Sequence, residues 1–410
     1  RANPDFARLW LANVISLTGD WFNTIVLLSL VERYSPGNGG LAISGLLLAR
    51  ALPPMLLSPL AGTLIDRFDR KQLLIWSSLL RAVVVLGFLL TLERPDLLWL
   101  IYVLTVAQFT LASIFEPCQT ALINNVCRPE DLVAANTLYT ITWSAILAFG
   151  AALGGIVATL FGASFALVFD ALTFVLGAWL IWRIRSYQFT PPVPDSSSTA
   201  PDTSIGEGVR YVRARPAIAS LLFVKFGSSL GNVDTLMAIY ATQVFILGVG
   251  GQLSLGIMYS AFGVGAVLGP LLLNRFSDGS ALALRRLITI SFVLTTVCWL
   301  VMGAASVLWV FCVGLIIRAM GGSSNWTYST ILLQQSTHDR YMGRVFSLDM
   351  MMYYIASVGS TLVHGSLVDA LNTAQLPWVS FLTLGVAGVA LVVWIVVNQR
   401  AEAKTVLSVE

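Results

Sequence analysis

The sequence predicts an all-α integral membrane protein, with twelve transmembrane helices in two pseudo-symmetric six-helix bundles. Three observations carry the prediction. The 410-residue chain is 57% hydrophobic and only 11% charged, against about 25% charged residues in a soluble domain, so it cannot cover itself with a water-facing surface. Its apolar runs reach the length of about 20 residues that a spanning helix needs. They lack the sustained alternation of a strand barrel.

Taken in order, hydropathy places spans at 8–32, 42–65, 72–92, 97–124, 136–160, 163–184, 217–247, 252–274, 286–304, 307–331, 345–370 and 376–398. With both termini cytoplasmic, eighteen of the 24 Lys and Arg residues fall on the inner side, and only Arg33 and Arg94 on the outer. Positive charge retained on the cytoplasmic side orients the chain. The first apolar run is too long for a cleavable leader and lacks a small-residue cleavage site. Thr190 to Ser198 is a Pro/Ser stretch that cannot build a core. It divides the chain into an N-terminal half (1–185), a cytoplasmic linker (186–215) and a C-terminal half (216–410), with a short interfacial helix expected over Ile205–Arg215. The halves echo each other. Ser16-Leu17-Thr18-Gly19-Asp20 matches the pattern of Ser229-Leu230-Gly231-Asn232-Val233-Asp234, and Asp66-Arg67-Phe68 that of Asn274-Arg275-Phe276. Repeated halves are the architecture in which a transport site forms near the bilayer midplane.

Charges inside spans then become the candidate site, because each costs about 2.5–3.5 kcal/mol at the bilayer centre on insertion scales. At 1.5 Å per residue, Asp20 and Arg50 lie at similar depth and could pair, as could Asp234 and Arg318; Arg81 and Glu116 also match in depth, a fixed internal salt bridge being the structural alternative there. Asp20 shares a helical face with Asn23. Glu116 shares one with Gln119, beside the break that Pro117 makes in the hydrogen-bond ladder. Asp20, Asp234 and Glu116 are the candidate proton carriers, since desolvation and a nearby cation move a carboxyl's proton affinity in opposite directions. Lys225 is expected to snorkel to the inner interface, and Asp170 and Asp369 to be solvated near outer ends. His364, near the outer end of its span, is a candidate relay. Gln108, Trp143, Asn325, Trp326, Tyr328 and Tyr353 add amide and aromatic surface for a substrate, densest at Asn325-Trp326-Thr327-Tyr328.

Gly62-Thr63-Leu64-Ile65-Asp66-Arg67-Phe68-Asp69-Arg70-Lys71 resembles the signature loop of the major facilitator superfamily, Gly-x-x-x-Asp-Arg-x-Gly-Arg-Lys, with Asp69 where that pattern has Gly. The resemblance implies a cytoplasmic latch built from Gly62, Asp66, Arg67, Arg70 and, at the start of the eleventh span, Arg344. A carboxylate there would sit at a helix N-terminus. Gly150-Ala151-Ala152-Leu153-Gly154-Gly155 is similar to the antiporter signature Gly-Pro-x-x-Gly-Gly, with Ala151 in place of Pro. Small residues at these positions let helices approach closely. The family's basic signature in the fourth helix, Arg-x-x-x-Gly, is absent. Phe115-Glu116-Pro117, Glu130 to Asn136 and Gly343 to Ser347 resemble bacterial exporters of the enterobactin and macrolide type.

These resemblances imply a secondary active transporter of a bacterial inner membrane. It would export amphipathic small molecules of the drug or siderophore class by proton antiport, most simply as a monomer. Lysophospholipid flipping and nutrient uptake are the alternatives. The partners expected are the amphipathic substrate, protons and the lipid bilayer. A net charge of +3 gives no reason to expect nucleic acid. No cofactor is expected. Cys118, Cys127, Cys298 and Cys312 lack metal-ligand spacing, and with two His in the chain no nucleophile–base constellation of an enzyme emerges.

Overall fold

A computed structural model describes the backbone of residues 3–128, 131–185 and 205–407. Side chains at 58–67, 400–407 and scattered positions in 117–144, 205–208 and 339–343 lie outside the description. The described chain is helical throughout. Its long elements are α1 (Pro4–Arg33), α2 (Gly39–Arg67), α3 (Arg70–Gly87), α4 (Leu98–Val126) and α5 (Leu132–Trp182). A short α6 (Ile205–Arg213) precedes α7 (Pro216–Ser229) and α8 (Asp234–Ile239). Then come α9 (Gln252–Leu273), α10 (Ala281–Gly303), α11 (Leu308–Ser336), α12 (Asp339–Ala370) and α13 (Leu376–Leu407).

The described helices can be grouped into twelve passages, nine of their segments being long and apolar enough to cross a membrane by themselves. Helices α1–α4 and α9–α13 give one each. α5 gives two, because Gly162 at φ 82°, ψ 167° interrupts it; that backbone region is open essentially only to glycine. α7, α8 and the π-turn after them give one broken passage. The two passages of α5 are the fifth and sixth expected spans, and α6 is the expected linker helix. Thr190–Ser198, the centre of the linker, lies outside the described residues.

Local signals set the helix ends. Asn3 caps α1 by accepting from the N–H groups of Asp5 and Phe6, with Pro4 in the first turn, the position where a missing N–H costs nothing. Asp69 caps α3, its carboxylate accepting from Lys71 and Gln72. The departure from the family's loop pattern therefore serves as a helix cap, typically worth about 1 kcal/mol. Ser280 caps α10 in the same way.

Contacts gather the chain into two compact units. The first is Arg1–Pro194 with Thr235–Ser260, the second Asp195–Asp234 with Ala261–Glu410. The chain passes between the units at the start of α8 and again within α9. The first unit packs Leu9, Leu74, Phe115, Leu122 and Ile181 into one core. Its glycines allow backbone contact: a Cβ on Gly155 would lie 2.6 Å from the Gln252 carbonyl, and one on Gly256 2.6 Å from that of Ala151. The glycine run of α5 thus packs directly on the first turns of α9. Such contacts, rather than the hydrophobic effect, hold helices together in lipid. The second unit's core is Leu221, Leu284, Phe292, Tyr328, Leu332 and Trp394.

Candidate functional site

In the first unit, α1, α2 and α4 enclose a small recess of about 10 Å³, lined by Asp20, Asn23, Arg50, Thr105, Gln108 and Phe109. Arg81 of α3 meets it from behind, its Nη2 donating to both carboxylate oxygens of Asp20 at 2.9 Å. The Arg81 side chain is 7% exposed and that of Asp20 25%. The guanidinium also lies over the Phe174 ring, 4.1 Å from its centroid, where the ring quadrupole favours a cation. Gln108 Nε2 donates to Asp20 Oδ1 at 3.3 Å, and Asn23 Nδ2 to Gln108 Oε1 at 3.1 Å. These bonds chain α1, α3 and α4 into one network.

Two expected pairings are corrected here. Arg81 takes Asp20 rather than Glu116, because α3 brings it to the Asp20 level of α1. Arg50 instead lies over Phe109, 4.9 Å from its centroid. Depth arithmetic ranks residues along the membrane normal but is blind to which helices are neighbours. Glu116 is exposed, yet within electrostatic reach of Arg81 and Asp20. Gln119 is buried and reaches the Tyr139 hydroxyl at 3.5 Å. Trp143 is exposed.

Asp170 departs most from expectation. It is fully buried, not solvated, because the sixth passage packs along α1. Gly19 makes room for it: a Cβ there would meet Thr173 Oγ1 at 2.2 Å and Asp170 Oδ1 at 2.5 Å. The signal for this residue was the Gly19-Asp20 step itself, a small residue beside a charge.

The second unit treats its charges differently. Lys225 of α7 does not snorkel. It is 2% exposed and bonds Asp349 of α12, itself 0% exposed, at 2.5 Å. Its ammonium sits 4.3 Å from the Trp326 ring centroid. Trp326 packs edge-on against Tyr353, which packs on Tyr354. Arg318 of α11 donates through Nη2 to the carbonyls of Ser228 and Gly231, at 2.8 and 3.0 Å. The break after α7 frees these carbonyls from helical bonding, as irregular membrane backbone requires. Asp234 lies within electrostatic reach of Arg318 and begins α8. Asn325 is buried and donates to Ser228 at 2.7 Å. Tyr328 belongs to the apolar core. His364 is buried, with Nδ1 at 2.8 Å from the Ser360 carbonyl and Nε2 at 2.9 Å from the Thr383 hydroxyl, so its ring nitrogens face hydroxyl and carbonyl oxygens.

Of the expected latch, Gly62, Asp66 and Arg67 lie outside the described side chains. Arg70 donates to Asn125 at 2.7 Å, Lys71 to the Ile184 carbonyl at 2.7 Å, and Arg344 lies near the Tyr341 ring. Among the described residues no His, Cys, Asp and Glu cluster is suited to a metal.

Broken and interrupted helices, with titratable side chains turned inward, are features of a multi-pass membrane protein of the transporter type. The particular family follows from the sequence match. Residues 2–408 fit the family model described as transmembrane secretion effector, and the chain belongs to this family of major facilitator (MFS) transporters. Among curated relatives, it is 27% identical to the uncharacterised MFS-type transporter YfiS of Bacillus subtilis, over 58% of this chain and 57% of that one. It is 24% identical to BacE of Bacillus subtilis, a proposed bacilysin exporter, over 95% of this chain and 93% of that one. Among solved structures, a bacterial homologue of the iron transporter ferroportin has a TM-score of 0.73 at 16% identity, covering 96% of this chain and 98% of its own. The nucleoside transporter NupG has 0.74 at 12%, covering 96% and 99%. At these identities the likeness concerns the fold. The relatives support the superfamily; they do not single out an enterobactin and macrolide branch.

Proposed function

We propose that the protein exports amphipathic small molecules across a bacterial inner membrane by proton antiport, alternating access between the two sides. One observation carries this reading: Asp20, held by Arg81 from α3, lines a recess whose other walls are amide, aromatic and apolar. Asn23 and Gln108 offer hydrogen bonds, Phe109 and Leu27 apolar surface, and Arg50 a cation held over an aromatic ring. Such a wall suits a molecule with polar and apolar faces. The relatives named as exporters support the direction of transport.

Coupling would run through Asp20. A carboxylate beside a guanidinium and partly open to a recess changes its proton affinity when either the cation or the water is withdrawn. Substrate export would then be tied to protonation of Asp20. Asp234 is the repeat-related alternative in the second unit, and Glu116 a third. The aromatic run Trp326–Tyr353–Tyr354 would offer stacking surface to the same class of substrate.

The test is reconstitution into proteoliposomes with an imposed proton gradient and a panel of amphipathic dyes and siderophore-class chelators. The expected result is accumulation against the dye gradient that collapses with a protonophore and in Asp20→Asn, while downhill exchange survives. Accumulation unaffected by the protonophore would sink proton coupling. Acceleration of lysophospholipid movement, with no dye transport, would favour flipping instead.

A further inference from the structure

We infer that Asp170 is a second proton-binding carboxyl of the transport cycle. In this scheme it holds a proton while Arg81 is paired with Asp20, and releases it when Arg81 transfers to Asp170. As a step in coupled export the inference rests on the antiport reading above; as a statement about proton occupancy it stands alone.

The geometry is specific. Asp170 has no exposed surface. Its Oδ2 has no hydrogen-bond partner among the described residues, and its Oδ1 is 3.5 Å from the Thr173 hydroxyl. That hydroxyl donates to the Asp170 carbonyl oxygen at 2.6 Å instead. Asn23 is the other side-chain donor near it, and neither it nor Thr173 reaches Oδ2; a fully buried carboxylate with one oxygen unsatisfied costs far more than the neutral acid. Arg81 carries the complementary vacancy: its Nε is buried and also without a partner. The Arg81 guanidinium lies over Phe174, one helical turn from Asp170, 4.1 Å from the ring centroid, while it is spent on Asp20 through Nη2; an unsatisfied donor and an unsatisfied acceptor thus belong to neighbouring groups. The notch at Gly19 holds Asp170 against the residue beside Asp20.

The charged groups around Asp170 are few. Asp20 comes from α1 and Arg81 from α3, and Glu116 of α4 acts on both of these. The sixth passage contributes no other ionisable group near it. One guanidinium therefore serves two carboxyls. With Arg81 on Asp20, the proton sits on Asp170. With Arg81 on Asp170, that proton has left and Asp20 has taken one from the recess. The triad stays neutral in both states, so neither strands an unpaired charge in the membrane.

Infrared difference spectroscopy of the purified protein in lipid, reading the carbonyl stretch of protonated carboxyls, tests this without transport. At neutral pH the wild type should show a carboxylic-acid band that Asp170→Asn removes. Asp20→Asn should remove it as well, although Asp170 is intact, because Arg81 is then free to pair with it. Arg81→Met should show two such acids. A band unchanged in Asp170→Asn, or no band in the wild type, overturns the proton assignment. A band that persists in Asp20→Asn overturns the exchange. Should Asp170→Asn fail to fold, the Asp20→Asn and Arg81→Met spectra decide alone. Loss of gradient-driven export in the wild type would sink the antiport reading and leave the band pattern untouched.

Discussion

Arg81 in the first unit and Lys225 in the second face the same problem, a cation held inside a membrane helix, and resolve it differently. Lys225 and Asp349 form a sealed pair, 2% and 0% exposed, capped by the Trp326 ring. Arg81 has a partner open to a recess, a free Nε, and a second carboxyl within reach. A sealed pair with one partner on each side can only be kept or broken. A guanidinium has five donors in a fixed fork, so it can be shared between two acids. The difference teaches that buried cations in one chain can be held in two ways; under the proposed antiport, an alternative partner and a path to water would set Arg81 apart from Lys225.

The largest effect should come from breaking the sealed pair. Lys225→Met leaves Asp349 buried without its cation, and removing one partner of such a pair costs about 3–5 kcal/mol. Thermal unfolding in detergent should show a marked loss of stability. The double variant Lys225→Met, Asp349→Leu should recover most of it and still transport. Lost transport in a stable double variant would make the pair functional and erase the contrast.

Next, Arg318→Gln should cost about 1–3 kcal/mol, because it leaves the carbonyls of Ser228 and Gly231 without their donor at the α7–α8 break. Unfolding midpoints check this. An unchanged midpoint would mean that water replaces the guanidinium there.

Arg81→Met should act on coupling more than on folding. Asp20 then loses the guanidinium that holds both its oxygens, so gradient-driven accumulation should fall strongly while the unfolding midpoint moves little. Accumulation equal to wild type would place coupling elsewhere, with Asp234 the first alternative.

The smallest effect belongs to Arg50→Ala. Its stacking on Phe109 is worth about 0.5–1 kcal/mol at an accessible site. Substrate affinity should fall several-fold, with gradient dependence intact. Loss of gradient dependence would restore Arg50 as the partner that governs Asp20.

Much of this protein is written in local sequence. Run length and low charge dictate helices, because backbone groups in lipid must bond within their own segment. Asn3, Asp69 and Ser280 mark helix starts, and Gly162 marks the reversal that makes two passages of one continuous helical stretch. Asp20, Asn23, Arg50 and Gln108 were each legible as polar residues at depth, and all four line one recess. Partners were not legible. Periodicity gives a residue its face and depth along its own helix. Which helix stands opposite is a property of packing, decided by small residues such as Gly19, which admits the Asp170 and Thr173 side chains, and Gly155, where backbones touch. For that reason only the tertiary structure could give Arg81 to Asp20, seal Lys225 onto Asp349, and bury Asp170, which sequence alone assigned to water.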